Sequence, residues 1–387
     1  MFLTKEEERI YDGERGWANQ TCMKILVRLG ELFDAEKLIP IDSAHVSGVS
    51  YKTLGDAPIQ FLRALADADA KVQVRTTLNP QSMDSRYLAG KLPEHLKEQQ
   101  LNILEQFEKM GLTKSLTCTP YYLHSPRKGS HNAWAESSAV VYANSILGAW
   151  TNREGGPSAL SAALIGKTPD YGIHRAKNRT ANVTVEVEMD IQNETEYGAL
   201  GILLGRILGD RIPAIEGLPA NSRDMLKQLC AAMATTGMTN MLRLGGTKEG
   251  EKISIESKQI KETIEELSTA STRQPDLVFL GCPHCSLNEI ERIAQLVEGK
   301  NVKNGTEFWV CTSCHIREKA IDQVRMIEKA GGHVLDGVCT IVSWTEKLQI
   351  KTIMTNSAKT AYYAPTLNKA ETILAQLEDC LKTALQG

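Results

Sequence analysis

Gly281-Cys282-Pro283-His284-Cys285-Ser286 follows the apolar run Leu277-Val278-Phe279-Leu280 and precedes a stretch in which Leu287, Ile290, Ile293, Ala294 and Val297 recur at helical spacing. A short apolar run, a Gly/Pro/Cys loop and an amphipathic helix read as strand, loop and helix, with the loop at the carboxyl end of a parallel strand. Ligands of open α/β sheets collect at that edge. The theme repeats downstream: strands expected at 277–280, 308–310, 334–335 and 350–354 alternate with helices, which predicts a doubly wound α/β domain. Each expected strand end carries sulfur or polar residues: Cys282, then Cys311 with Cys314 and His315, then Asp336 with Cys339, then Thr355-Asn356-Ser357 with Lys359.

Upstream, composition changes at Arg273-Gln274-Pro275, which divides the chain into an N-terminal α/β region, 1–272, and a C-terminal domain, 273–387. The N-terminal region opens on helices over 4–33, with Thr4 and Glu7 spaced as a capping box. Leu38-Ile39-Pro40-Ile41 reads as a short strand that leads into His45-Val46-Ser47-Gly48-Val49-Ser50, a loop of small residues whose backbone N–H groups suit an anion. After a helix over 57–68, the strand Val72-Gln73-Val74-Arg75-Thr76-Thr77 ends on the turn Leu78-Asn79-Pro80-Gln81. A helix over 93–110 turns Leu96, Leu101, Leu104 and Phe107 inward. Thr117-Cys118-Thr119-Pro120-Tyr121-Tyr122 reads as another strand end with a cysteine beside a proline. Residues 129–145 form a polar loop entering a helix that bears Glu136 and Ser137 in its first turn. Thr151-Asn152-Arg153-Glu154-Gly155-Gly156-Pro157-Ser158 follows, and both polar stretches read as function rather than scaffold. Val183, Val185 and Val187 alternate as a half-buried strand, and Gly198, Gly201, Gly205 and Gly209 predict tight helix packing.

Composition narrows the partners. With 44 basic and 47 acidic side chains among 387 residues the net charge is -3, so no broad basic field attracts nucleic acid or an anionic membrane. No apolar run approaches a membrane span and no signal-peptide core is evident. Nine cysteines, an odd number, predict reduced thiols or metal ligands in a cytoplasmic protein rather than a disulfide framework.

Several readings of the thiols stay open at this point. Cys282-x-x-Cys285 suits a redox pair at a helix N-terminus. Cys282, Cys285, Cys311 and Cys314 have the count of a closed zinc site, which would make the chain a zinc-stabilised binding protein. Three strand-end thiols, Cys118, Cys282 and Cys339, suit an iron-sulfur cluster with one iron left open. Buried thiols acting as small hydrophobes are the plain alternative.

Taken together, His45-Val46-Ser47-Gly48-Val49-Ser50-Tyr51-Lys52-Thr53, Thr117-Cys118-Thr119-Pro120-Tyr121, Ser130-His131-Asn132-Ala133-Trp134-Ala135-Glu136-Ser137-Ser138, Thr151-Asn152-Arg153-Glu154-Gly155-Gly156-Pro157, Gly281-Cys282-Pro283-His284 and Met354-Thr355-Asn356-Ser357-Ala358-Lys359-Thr360-Ala361 resemble aconitase X, a branch of the aconitase superfamily. The resemblance implies an aconitase-like fold of several α/β/α domains, two of them intertwined in 1–272, without the small swivelling domain. It implies a lyase that removes water from a hydroxy acid: (R)-5-phosphomevalonate, giving trans-anhydromevalonate 5-phosphate in an archaeal modified mevalonate pathway, or alternatively cis-3-hydroxy-L-proline. Cys118, Cys282 and Cys339 would hold an iron-sulfur cluster, a [4Fe-4S] form with one iron lacking a protein thiolate. Gly48, Val49, Ser50, Asn79, Pro80, Glu136, Ser137 and Lys359 would contact substrate. A separate small subunit would complete the site and supply the catalytic base.

Overall fold

Five parallel strands stand in the order His333–Asp336, Glu307–Thr312, Leu277–Leu280, Thr352–Thr355, Glu371–Leu374 in the computed structural model, which describes residues 1–219, 222–246, 251–272 and 274–386. Arg273, at the expected boundary, lies outside the described residues, as does Gly387. The first of these strands in sequence is the middle one in space. The chain winds outward on one side, then returns to wind outward on the other, so the order switches at Leu277–Leu280. A crevice opens where strand order reverses, and the Cys282 loop leaves from that point.

Period-two alternation builds the two cores. Val278, Leu280, Phe308, Val310 and Val334 face the helices Leu287–Val297, Ile321–Lys329 and Leu377–Ala384. Leu277, Phe279, Trp309, Cys311 and Leu335 face the other way and pack on Leu88, Leu92 and Leu96, which belong to the N-terminal region. The C-terminal sheet therefore shares a core with the segment that follows Pro80.

Two smaller parallel sheets precede it. Arg75–Leu78, Ser43–Val46 and Asn132–Trp134 form a three-stranded sheet with Ser43–Val46 central. Arg243–Leu244, Pro213–Glu216, Val183–Val187 and Glu251–Ile255 form a four-stranded one. The expected glycine stripe lies on the helix Glu194–Leu208, where a Cβ at Gly201 would sit 2.6 Å from Leu229 O, and one at Gly205 2.6 Å from Met233 O. The facing helix Arg223–Thr236 packs against bare backbone there.

Two local expectations are corrected. Residues 117–122 are not a strand: after Leu116, at φ 44°, the chain runs beside Arg75–Leu78 through Thr117 N donating to Leu78 O, and Pro120 starts a single turn. Leu101 is 54% exposed, and Ile103 takes the inward place on Glu94–Lys109. The polar turn after Thr151 is tied into its surroundings: Asn152 accepts from Ile173 N, Arg153 donates to Gly237 O and Ala234 O, and Glu154 accepts from Ser158 Oγ.

Candidate active site

Each site segment leaves the carboxyl end of a parallel strand or enters a helix, so backbone N–H groups there lack partners within their own element. The loop after Ser43–Val46 carries Gly48, Val49 and Ser50. Val49 is core by its side chain, and its carbonyl accepts from Gln100 Nε2 at 2.8 Å. Ser50 Oγ donates to Val342 O at 3.0 Å, and Lys52 Nζ reaches Ser343 O at 2.6 Å and the Glu346 carboxylate at 2.9 Å. These bonds tie the loop to the segment just beyond Cys339.

The neighbouring strand Arg75–Leu78 delivers Asn79 and Pro80. Asn79 Nδ2 donates to Glu136 Oε2 at 2.9 Å, and Asn79 Oδ1 lies 3.3 Å from His45 Nε2. Glu136 caps the short helix Ser137–Tyr142, accepting from Ser138 N and Ser138 Oγ on its Oε1. The same oxygen accepts from Lys359 Nζ at 2.9 Å, across 223 positions of sequence. His45, Asn79, Glu136 and Lys359 thus form one polar chain, buried at His45 and Glu136 and half-buried at Asn79 and Lys359, and Ser137 stands at its edge on the first helical turn.

Electrostatics fixes the charge states of this chain. Burial pushes the Glu136 carboxyl up, but the Lys359 ammonium and the Ser138 and Asn79 donors outweigh it and hold its pKa at about 2. Burial pushes the Lys359 ammonium down, and Glu136 more than reverses that. Burial holds His45 neutral, with a pKa lowered to about 4.

Cys118, Cys282 and Cys339 approach from three directions. Gly281, at φ +105°, lets the Cys282 loop press on the neighbouring strand, since a Cβ there would collide with Cys311 O. Gly337, at φ +72°, lets the Cys339 loop lie on the Cys118 segment, 2.8 Å from Leu116 Cβ at the position a Cβ would take. Cys339 N donates to Gln81 O at 3.1 Å, which docks that loop on the Asn79-Pro80 turn. All three thiols are free, and Cys118 and Cys282 are buried. Burial is the main cause that raises the Cys118 and Cys339 thiols, the latter to about 12, and the nearby Cys282 adds to both.

The chemistry of this donor set, three thiols from three separate loops, fits an iron-sulfur cluster. A cluster has a body several atoms wide and takes its thiolates from separate loops around it. Thiols from three separate loops become thiolates when a cationic group takes them. The zinc tetrad is overturned by the sheet itself. Cys285 packs with Leu280 and Ile290 on one face, Cys282 and Cys311 pack on the other, and Cys314 donates to Asp336 Oδ2 at 2.9 Å.

Comparison with known proteins meets this geometry. Family models described as the first, second and third domains of aconitase X match residues 1–177, 181–268 and 275–386. The chain belongs to the aconitase X family. A crystal structure titled Thermococcus kodakaraensis aconitase X (holo-form) superposes on this aconitase X chain with a TM-score of 0.93 at 40% identity, over 99% of this chain and all of that one. The phosphomevalonate dehydratase large subunit of Methanocaldococcus jannaschii is 47% identical, over 99% of this chain and all of that protein. The cis-3-hydroxy-L-proline dehydratase of Pseudomonas aeruginosa is 31% identical, over 98% of this chain and 69% of that enzyme. This aconitase X chain is therefore an enzyme of the hydro-lyase class with an aconitase-like α/β fold.

Of the expected substrate contacts, Asn79, Glu136 and Lys359 are joined by hydrogen bonds, and two residues with no expected role, His45 and His284, link neighbouring segments. His45 carried no role in the sequence, although it precedes the Ser47-Gly48 loop. His284 sat inside the opening motif with its neighbours' sulfur drawing the chemistry.

Proposed function

We propose that the chain is the large subunit of a cytoplasmic dehydratase that converts (R)-5-phosphomevalonate to trans-anhydromevalonate 5-phosphate, with an iron-sulfur cluster held by Cys118, Cys282 and Cys339. The observation that carries this reading is the 47% identity to a phosphomevalonate dehydratase large subunit over the full length of both chains. The site supports it: Lys359 supplies a largely buried ammonium held by Glu136, and the Gly48-Val49-Ser50 loop supplies backbone N–H groups, both suited to an anionic substrate. Nine free thiols suit a reducing compartment, and no described helix is long and apolar enough to cross a membrane.

When bound, the cluster supplies a Lewis acid for a hydroxyl that leaves poorly by itself. The protein's own residues do the rest. The loop N–H groups and Lys359 orient the substrate's anionic groups. Glu136 stays ionised and holds Lys359 and Asn79 in place through the bonds described above. Asn79 and Ser137 present neutral donors beside it. Among these residues none is a free base at neutral pH, because His45 is hydrogen-bonded to Asn79 and Thr77 and Glu136 is committed to Lys359. The base, and the lid that excludes water, belong to a small partner subunit.

The test is anaerobic co-expression with a small subunit, followed by turnover assays on mevalonate 5-phosphate and cis-3-hydroxy-L-proline. Turnover of the phosphate alone is the expected result. Turnover of the proline alone would move the enzyme to the other branch of the family.

A further inference from the structure

His284 stands at the junction of the three thiol-bearing segments and is 1% exposed. Its backbone N–H donates to Cys118 Sγ at 3.2 Å. Its ring Nε2 lies 2.7 Å from Val338 O, the carbonyl next to Cys339. Its ring Nδ1 lies 3.3 Å from Thr117 Oγ1, next to Cys118. A carbonyl only accepts, so Nε2 carries the proton and Nδ1 accepts from the threonine hydroxyl. The residue itself follows Cys282 by two positions. Its own carbonyl accepts from the buried Lys227 Nζ at 3.1 Å, and Lys227 is held in turn by Glu289. One side chain and one peptide unit thus touch all three loops, with both ring nitrogens and the backbone used.

We infer that His284 is the positioning residue of the metal centre: its ring fixes the spacing of the Cys118, Cys282 and Cys339 loops, and its N–H tunes the Cys118 sulfur by hydrogen bonding. The inference rests on the cluster assignment to these three cysteines. Groups just outside a metal's ligands orient them and change retention and electronics, and hydrogen bonds to sulfur set cluster potentials. A leucine at 284 keeps the backbone bond to Cys118 and removes both ring bonds. A glutamine keeps a donor able to reach Val338 O.

The experiment compares wild-type chain, His284→Leu and His284→Gln after anaerobic reconstitution, reading iron and sulfide content, the rate of iron release to a chelator, and the spectrum and potential of the reduced cluster. His284→Leu is expected to release iron about 10- to 100-fold faster with a shifted reduced spectrum, and His284→Gln to recover most of the loss. Should the leucine protein not fold, the glutamine protein carries the test: wild-type retention with a small potential shift supports the role. Variants with wild-type release rates, spectra and potentials would overturn the inference and leave the cluster assignment standing. A wild-type chain that takes up no iron and sulfide would overturn both.

Discussion

Glu136 and Lys359 carry opposite charges in a buried site, and the geometry makes each the condition for the other. Removing only the cation leaves a carboxylate out of water with two neutral donors, a loss of about 3–5 kcal/mol for a broken buried pair. Lys359→Met is therefore expected to lower the denaturation midpoint strongly. The double variant Glu136→Gln/Lys359→Met should recover most of that stability while remaining inactive, as chemical denaturation and turnover assays would report. A double variant no more stable than Lys359→Met would mean the pair is not what couples the two segments. Glu7 offers a pH test far from the site. Burial raises its carboxyl, but Lys167 at 2.6 Å and Thr4 lower it further, so its folded pKa lies below the ordinary 4.5. That stabilisation is present above the unfolded value and is lost as pH falls through the folded one. Urea midpoints measured from pH 6 to 3 should fall less steeply for Glu7→Gln, which starts from lower stability at pH 6.

At the scale of elements, the glycine stripe of Glu194–Leu208 makes the sharpest prediction. Gly205→Ala places a methyl group against Met233 O and Gly237 N, and overpacking of this kind costs about 1–3 kcal/mol. A thermal scan should register a lowered midpoint, whereas an unchanged midpoint would mean the helices part easily. The C-terminal strands were legible in sequence because buried parallel strands read as continuous apolar runs punctuated by Gly and Pro. Leu101 misled because helical periodicity places a residue on a face without saying where that face ends. Thr117–Tyr122 misled because an apolar run beside a strand looks like one, while Leu116 at positive φ and Pro120 break the ladder. Asn152, Arg153 and Glu154 looked functional for a sound reason, since dense polar groups between apolar helices need partners. Asn152 and Arg153 found theirs in backbone groups of neighbouring segments and Glu154 in the hydroxyls of Ser158 and Thr168, which no local pattern specifies.

The whole molecule is organised by contacts distant in sequence. Gln81 meets Gly337 and Cys339, Ser50 and Lys52 meet 342–346, and Glu136 meets Lys359. The site residues were each legible as strand-end or helix-start polar groups, but their convergence was available only through family resemblance, because it depends on how separate sheets face one another. Lys52→Ala should loosen the Gly48-Val49-Ser50 loop from the C-terminal segment without removing a reacting group of the proposed site. Steady-state kinetics of the two-subunit enzyme should then give a raised KM with kcat little changed, and a fall confined to kcat would assign Lys52 to the chemical step. In the proposed enzyme three cysteines from three loops hold one iron-sulfur cluster. Iron, zinc and sulfide analysis of the anaerobically prepared chain and of its single Cys→Ser variants tests it most directly. Iron and sulfide are expected in the wild type, lost from Cys118→Ser, Cys282→Ser and Cys339→Ser, and retained in Cys285→Ser, Cys311→Ser and Cys314→Ser. Stoichiometric zinc without sulfide, lost on replacing Cys285 or Cys311, would contradict it.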